Sequence, residues 1–298
     1  MTHVDETPAA PSAEPEDRFA AFRNSRFLRY WLARLCAAFG VQIVSVSVGW
    51  QIYDLTRDPL DLGFVGLSQF LPALLLVLVT GVAADRYSRR LIMALAVGAE
   101  AIGAAVLLAL TYLDLVSPLP VFAILVVFGV ARAFFGPAAS SLVVNLVTER
   151  ELANAIAWNS SSWQLASILG PVAGGLLYGF SSHAAYGTAL AMFVLACGLV
   201  LTIRASAHRR SDEPASLETV VAGFRYIWHE KIVLGAISLD LFAVLLGGAV
   251  ALMPVYARDV LDVGPWGLGL LRAAPGVGGT EDLVGADGAP RLELPDQL

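Results

Sequence analysis

A chain of 298 residues that is 57% hydrophobic and only 15% charged, with a mean hydropathy of +0.70, is too apolar for a soluble domain, where roughly 45–50% is usual. This excludes a water-soluble enzyme, calls for no nucleic-acid partner, and points to a protein whose solvent is a lipid bilayer. The net charge of −6 describes the polar ends more than the body of the chain.

Residues 1–18 carry Asp5, Glu6, Glu14, Glu16 and Asp17, the wrong sign for the basic start of a signal peptide, and are expected to form a disordered cytoplasmic tail. Apolar runs follow, each to be tested against the 18 or so residues that a membrane helix needs. Leu35–Tyr53, Leu62–Ala84, Leu152–Ser182 and Ala184–Ile203 contain no Asp, Glu, Lys or Arg over 19, 23, 31 and 20 residues. Leu91–Leu113 and Ile232–Tyr256 qualify with one acid each, Glu100 and Asp240, and Leu119–Ser141 qualifies with Arg132. These seven spans should be helices, because backbone amides in hydrocarbon must be satisfied within the segment. Val263–Val277 is an incomplete eighth, rich in Gly and Pro and poor in helix propensity.

The connector 205–230 repeats Leu217, Val220, Val221, Phe224, Ile227 and Trp228 at helical spacing, which predicts an amphipathic helix at the membrane interface or on the end of the bundle. Cys36 and Cys197 lie in different spans without a paired motif, so packing is their expected role. No motif for an enzyme, metal or cofactor survives inspection; His229-Glu230-Lys231 lacks the second histidine of a zinc helix.

Lys and Arg divide unevenly between alternate loops. The N-terminal flank and the loops after spans 2, 4 and 6 hold thirteen, against Arg57 and Arg258 on the other side. Positive loops stay in the cytoplasm, so the N-terminus is expected there, in a multi-pass protein of the cell membrane.

The loop after span 2 reads GVAADRYSRR. Its Gly81, Asp85, Arg86, Arg89 and Arg90 resemble the G-x-x-x-D-R-x-x-R-R/K signature of the major facilitator superfamily, with Ser88 in place of a frequent glycine. Arg132 followed by Gly136 is similar to the helix-4 signature of that family, although Phe135 replaces its glutamine. Gly170, Pro171, Gly174 and Gly175 resemble its helix-5 antiporter motif, with Ala166 where a further glycine is common. The stretches LANAIAWNSSSWQLASILGP and AGFRYIWHEKIVLGAISLDLFAV are similar to the enterobactin-exporter-like branch of drug and siderophore exporters.

The resemblance implies an all-α integral membrane protein of the major facilitator fold: a six-helix bundle over 19–204, the connector, and a partial second bundle over 231–277. It implies proton-coupled export of a small molecule by alternating access, with no cofactor. Asp85 would act as a latch between bundles, and Gly81 would let helices approach closely.

Ionisable groups inside spans are functional candidates, since an unpaired charge there costs at least ~2.5 kcal/mol. Arg34, one turn into span 1, is expected to snorkel or pair near Asp85, and Glu100 to pair with an arginine. Arg132 is a candidate for the cavity ahead of a structural pair, Asp240 is the leading candidate for proton coupling or else caps a polar contact, and Gln42, Trp50, Gln51 and Gln69 are candidate cavity or gate residues. From 278 to 298 the chain turns acidic, with Glu281, Asp282, Asp287, Glu293 and Asp296 against Arg291. This predicts a tail read out of frame, and so a transport-inactive remnant or membrane interaction partner as the alternative function.

Overall fold

A computed structural model describes residues 19–203, 228–235, 238–239 and 249–285. Among them every regular element is helical. The long helices are α1 (Ser25–Thr56), α2 (Pro59–Arg86), α3 (Arg89–Tyr112), α4 (Pro118–Val144), α5 (Glu149–Phe180) and α6 (Ser182–Thr202). Helix α7 (Ala249–Val255) runs into a π-helical turn at Tyr256–Val260, and α8 (Pro265–Gly285) follows.

Each of the first six expected spans corresponds to one helix, and the boundaries have local causes. Asn24 starts α1 by accepting from the Arg26 amide (3.0 Å), and its own amide donates to the Leu146 carbonyl (2.6 Å), fixing that start against the α4–α5 loop. Arg57 ends α1 in the left-handed region, φ 55°. Asp58 then caps α2 through the Leu60 amide (2.8 Å), with Pro59 in the first position, where a missing N–H costs nothing. Thr148 and Glu151 close a capping box at the start of α5.

Among the described residues, α1, α2, α3, α4 and α6 are long and apolar enough to cross a membrane. Helix α5 matches α1 in length, but Asn154, Asn159, Ser160, Ser161, Ser162 and Gln164 lower its hydropathy. Of the seventh expected span, residues 236–237 and 240–248 lie outside the described residues, Asp240 among them, as do 204–227 of the connector. The eighth segment is a helix of 21 residues in spite of its propensity. Its Gly269 sits where the α5 backbone comes close and Gly276 where the Ile168 side chain does, and packing outweighs intrinsic preference.

Helix α1 packs on α5 and α6, α3 on α4 and α6, and α2 on α4. Between hydrocarbon and hydrocarbon there is no water to expel, so close van der Waals approach has to hold such helices together. At the α2–α4 crossing a Cβ on Gly129 would sit 2.4 Å from the Gln69 carbonyl oxygen, so only glycine fits. One apolar core joins α1, α3, α4 and α6 around Val44, Leu107, Leu125, Phe128, Tyr186 and Phe193. A second, around Phe27, Tyr30, Met93 and Leu142, lies at the end that carries the N-terminus and the arginine-rich α2–α3 loop, the basic end. Helix α8 docks on α5, and α7 touches α1, α2 and α8.

Candidate functional site

Between α1, α2 and α5 on one side and α7 and α8 on the other lies a cavity of about 520 Å³, within the usual range for small-molecule sites. Its wall includes Gln42, Ser45 and Gly49 of α1, Val65 and Gln69 of α2, Ser167 and Pro171 of α5, Val250 and Ala251 of α7, and Arg272 and Gly276 of α8. The wall is mostly apolar with a few polar groups, and one charge enters it. Arg272 donates from Nη1 to Ser45 Oγ at 2.8 Å. Its Nε is shut off from solvent and has no hydrogen-bond partner among the described residues. Room for the guanidinium comes from Gly49, where a Cβ would stand 3.4 Å from Nη2.

The glycines of α5 set the width of this cavity. Gly170 and Gly174 face α1: a Cβ on Gly170 would lie 2.7 Å from the Gln42 Cβ, and one on Gly174 3.0 Å from the Ile43 Cα. Gly175 faces α8, where its Cβ would meet the Pro265 carbonyl oxygen at 2.4 Å, and a Cβ on Gly269 would meet the Pro171 carbonyl oxygen at 2.5 Å. Gln164 adds a hydrogen bond of 2.7 Å to the Gly276 carbonyl. The helix-5 motif is thus a double packing surface, with α1 against one face and α8 against the other. Gly179 takes no part, since a Cβ there would meet nothing within 4 Å.

Away from the basic end, a charged cluster ties α1 to the π-helical turn. Arg258 pairs with Asp54 and lies over the Trp50 ring, 5.4 Å from its centre. Arg57 reaches Asp259 at 3.6 Å and Asp54 at 3.8 Å, and the Tyr53 hydroxyl donates to Asp259. Trp50, Tyr53 and Asp54 follow the cavity residue Gly49 within two turns of α1, so the cluster lies next along that helix, away from the basic end.

The residues singled out from sequence are dispersed. Arg86 is exposed, and Arg89 is half-buried at the start of α3. Arg90 donates to the Ile203 carbonyl (2.8 Å) and Arg29 to the Thr202 carbonyl (3.2 Å), so both arginines neutralise the C-terminal end of α6. The backbone of Asp85 belongs to the last turn of α2. The close approach expected at Gly81 is not made among the described residues: a Cβ there would meet nothing within 4 Å. Arg34 donates to the Tyr30 hydroxyl (3.3 Å), which donates in turn to the Ala139 carbonyl (2.9 Å) and accepts from the Asn159 amide (3.4 Å).

Arg132 is exposed on α4, with its guanidinium 5.9 Å from the centre of the Trp163 ring. Glu100 is buried on α3. Neither belongs to the 520 Å³ cavity wall, which Gln42 and Gln69 do line. Gln51 instead accepts from the Tyr186 hydroxyl (2.5 Å). Sequence reasoning missed Arg272, Ser45 and the acids Asp54 and Asp259. A lone arginine in the apolar stretch Leu268–Ala274 was the available signal for Arg272, hidden by the poor helix propensity around it.

A sequence profile of the family described as transmembrane secretion effector matches residues 16–293. The multidrug efflux pump Tap of Mycobacterium tuberculosis is 28% identical over 280 residues, covering 88% of this chain and 64% of the pump. YkuC of Bacillus subtilis, described as an uncharacterized MFS-type transporter, is 23% identical over 248 residues, or 79% of this chain and 57% of that protein. The chain therefore spans less than two thirds of the length of these relatives. In fold it is similar to a bacterial homolog of the human lysosomal transporter Spinster, solved inward-facing and unoccupied, with a TM-score of 0.66, 20% identity, and coverage of 94% of this chain and 65% of that one.

Proposed function

The chain belongs to the major facilitator superfamily, in its transmembrane secretion effector family, and from that premise we propose that it serves proton-coupled export of a small molecule by alternating access. The observation that carries this reading is the cavity between two groups of helices, with the Asp54, Arg57, Arg258 and Asp259 cluster tying the two groups together away from the basic end. A site walled by elements that can separate, with a breakable polar contact between them, is what alternating access requires. The thirteen-to-two division of basic residues supports a cytoplasmic basic end, and hence a contact between the groups on the outer side.

Within this reading residues 19–204 form the N-terminal bundle, and 231–277 supply the facing wall. Asp240 is the proton-coupling carboxylate, and the helix-5 residues Gly170, Pro171, Gly174 and Gly175 are the surface on which α1 and α8 shift. Glu100 and Arg132 form a supporting pair between α3 and α4, and Arg34 anchors the basic end. Asp85, with Arg86, Arg89 and Arg90, would latch that end in the opposite state. The stretches quoted above support placement near the enterobactin-exporter-like branch, and similarity to a multidrug efflux pump supports export of an amphipathic solute.

The test is transport by the full chain in proteoliposomes under an imposed pH gradient, with anilinonaphthalene sulfonate as the fluorescent solute. The reading predicts movement that depends on the gradient, collapses with a protonophore, and falls at least about tenfold in Asp240→Asn, a loss of 1.4 kcal/mol or more in coupling. Folded chain that binds the dye yet never moves it would overturn the transport reading.

A further inference from the structure

We infer that Arg272 is the recognition group of the cavity and that the solute it takes is a small amphipathic anion, bearing a carboxylate, sulfonate or phosphate beside an apolar body. This rests on the proposed function in taking the cavity as the seat of the solute.

A guanidinium presents five N–H donors in a planar fork that matches an oxyanion in two-point contact. In Arg272 the described residues give a partner to Nη1 only, the Ser45 hydroxyl at 2.8 Å, while Nε is buried and has none. A charge held in an apolar setting without a counter-ion is costly, so such residues mark the path of an ion or solute. The ion pairs found among the described residues use Arg57 and Arg258 with Asp54 and Asp259, none of which lines the cavity. None of the described residues of the wall is acidic.

The remaining wall suits the rest of the solute. Val65, Pro171, Val250 and Ala251 offer apolar contact, and the amides of Gln42 and Gln69 offer neutral polar contact that does not repel an anion. Ser45 holds one arm of the fork and so aims the guanidinium, whose N–H groups can only donate. Nη2 lies along Gly49, where any larger side chain would press on it.

The test compares two probes with the same aromatic frame, anilinonaphthalene sulfonate and the uncharged N-phenylnaphthylamine, by fluorescence titration of the purified full chain in phosphatidylcholine nanodiscs. Native protein should bind the sulfonate saturably and about tenfold more tightly than the neutral dye. Arg272→Gln should abolish that preference and leave the neutral dye unchanged, and Arg272→Lys should restore part of it. Ser45→Ala removes the tether and keeps the charge, so the preference should survive within a few fold. The inference is overturned if the sulfonate has no saturable site, if Arg272→Gln weakens both dyes alike, or if Ser45→Ala reproduces the loss, since Arg272 is then a structural tether. Should Arg272→Gln fail to fold, the Lys and Ser45 variants still decide. Binding is read without transport: Arg272-dependent preference with no movement of dye refutes the transport reading alone, and movement of both dyes indifferent to Arg272 refutes the anion site alone.

Discussion

Arg258, in the π-helical turn before α8, lies 5.4 Å from the centre of the Trp50 ring of α1, and its guanidinium pairs with Asp54 one turn further on. The two basic residues of the sparsely charged side, Arg57 and Arg258, thus both bind acids and tie α1 to the π-helical turn. A half-exposed ion pair contributes about 1 kcal/mol or less, so this is a contact between the two helix groups that thermal motion can open.

Breaking this contact should expose the cavity. With Cys36 and Cys197 replaced by Ser and a reporter cysteine at Leu62, which is buried and lines the cavity, Arg258→Ala should raise the labelling rate by a membrane-impermeant maleimide about fivefold, the equivalent of ~1 kcal/mol. An unchanged rate would mean that the cluster carries no part of the closure.

The helix-5 glycines should differ sharply among themselves. Gly175→Ala places a methyl 2.4 Å from a backbone oxygen of α8, which cannot rotate away, whereas Gly179→Ala meets nothing within 4 Å. Overpacking of this kind costs about 1–3 kcal/mol. Thermal unfolding in detergent should show a clear fall in Tm for Gly175→Ala and none for Gly179→Ala. Equal effects would show that helix propensity, and not the α5–α8 contact, governs these positions.

Tyr30→Phe removes a buried hydroxyl that serves the Ala139 carbonyl, Arg34 and Asn159 together. A hydrogen bond contributes about 1 kcal/mol, and an orphaned buried partner costs somewhat more. The expected loss is therefore about 1–3 kcal/mol of stability, measured by unfolding in micelles. Stability equal to that of the native chain would indicate that water replaces the hydroxyl in full.

The arginines of the α2–α3 loop should separate by role. Arg90→Ala leaves the Ile203 carbonyl at the end of α6 without its donor and should cost about 0.5–1 kcal/mol, with Arg90→Lys partly restoring it. The exposed Arg86 should be replaceable by Ala without loss of stability, so that any effect of Arg86→Ala falls on transport rate alone. A comparable fall in Tm for both variants would contradict this division.

The membrane character of the chain, the position of its first six helices and its family signatures were legible in the sequence, because each depends on residues near one another. Twenty apolar residues cross a bilayer wherever they stand. The loop signature was legible too, but not that its Arg90 would be spent on the far end of α6.

What only the tertiary structure decided is which side chains meet across helices. Ser45 and Arg272 stand 227 residues apart, and Tyr53 meets Asp259 across a similar distance. The same small residue packs tightly at Gly175 and faces open space at Gly179, a difference that spacing alone does not carry. Crossing a membrane is a property of a single segment and follows from composition, whereas a binding cavity is a property of the gaps between segments, fixed by where neighbouring backbones stop approaching one another.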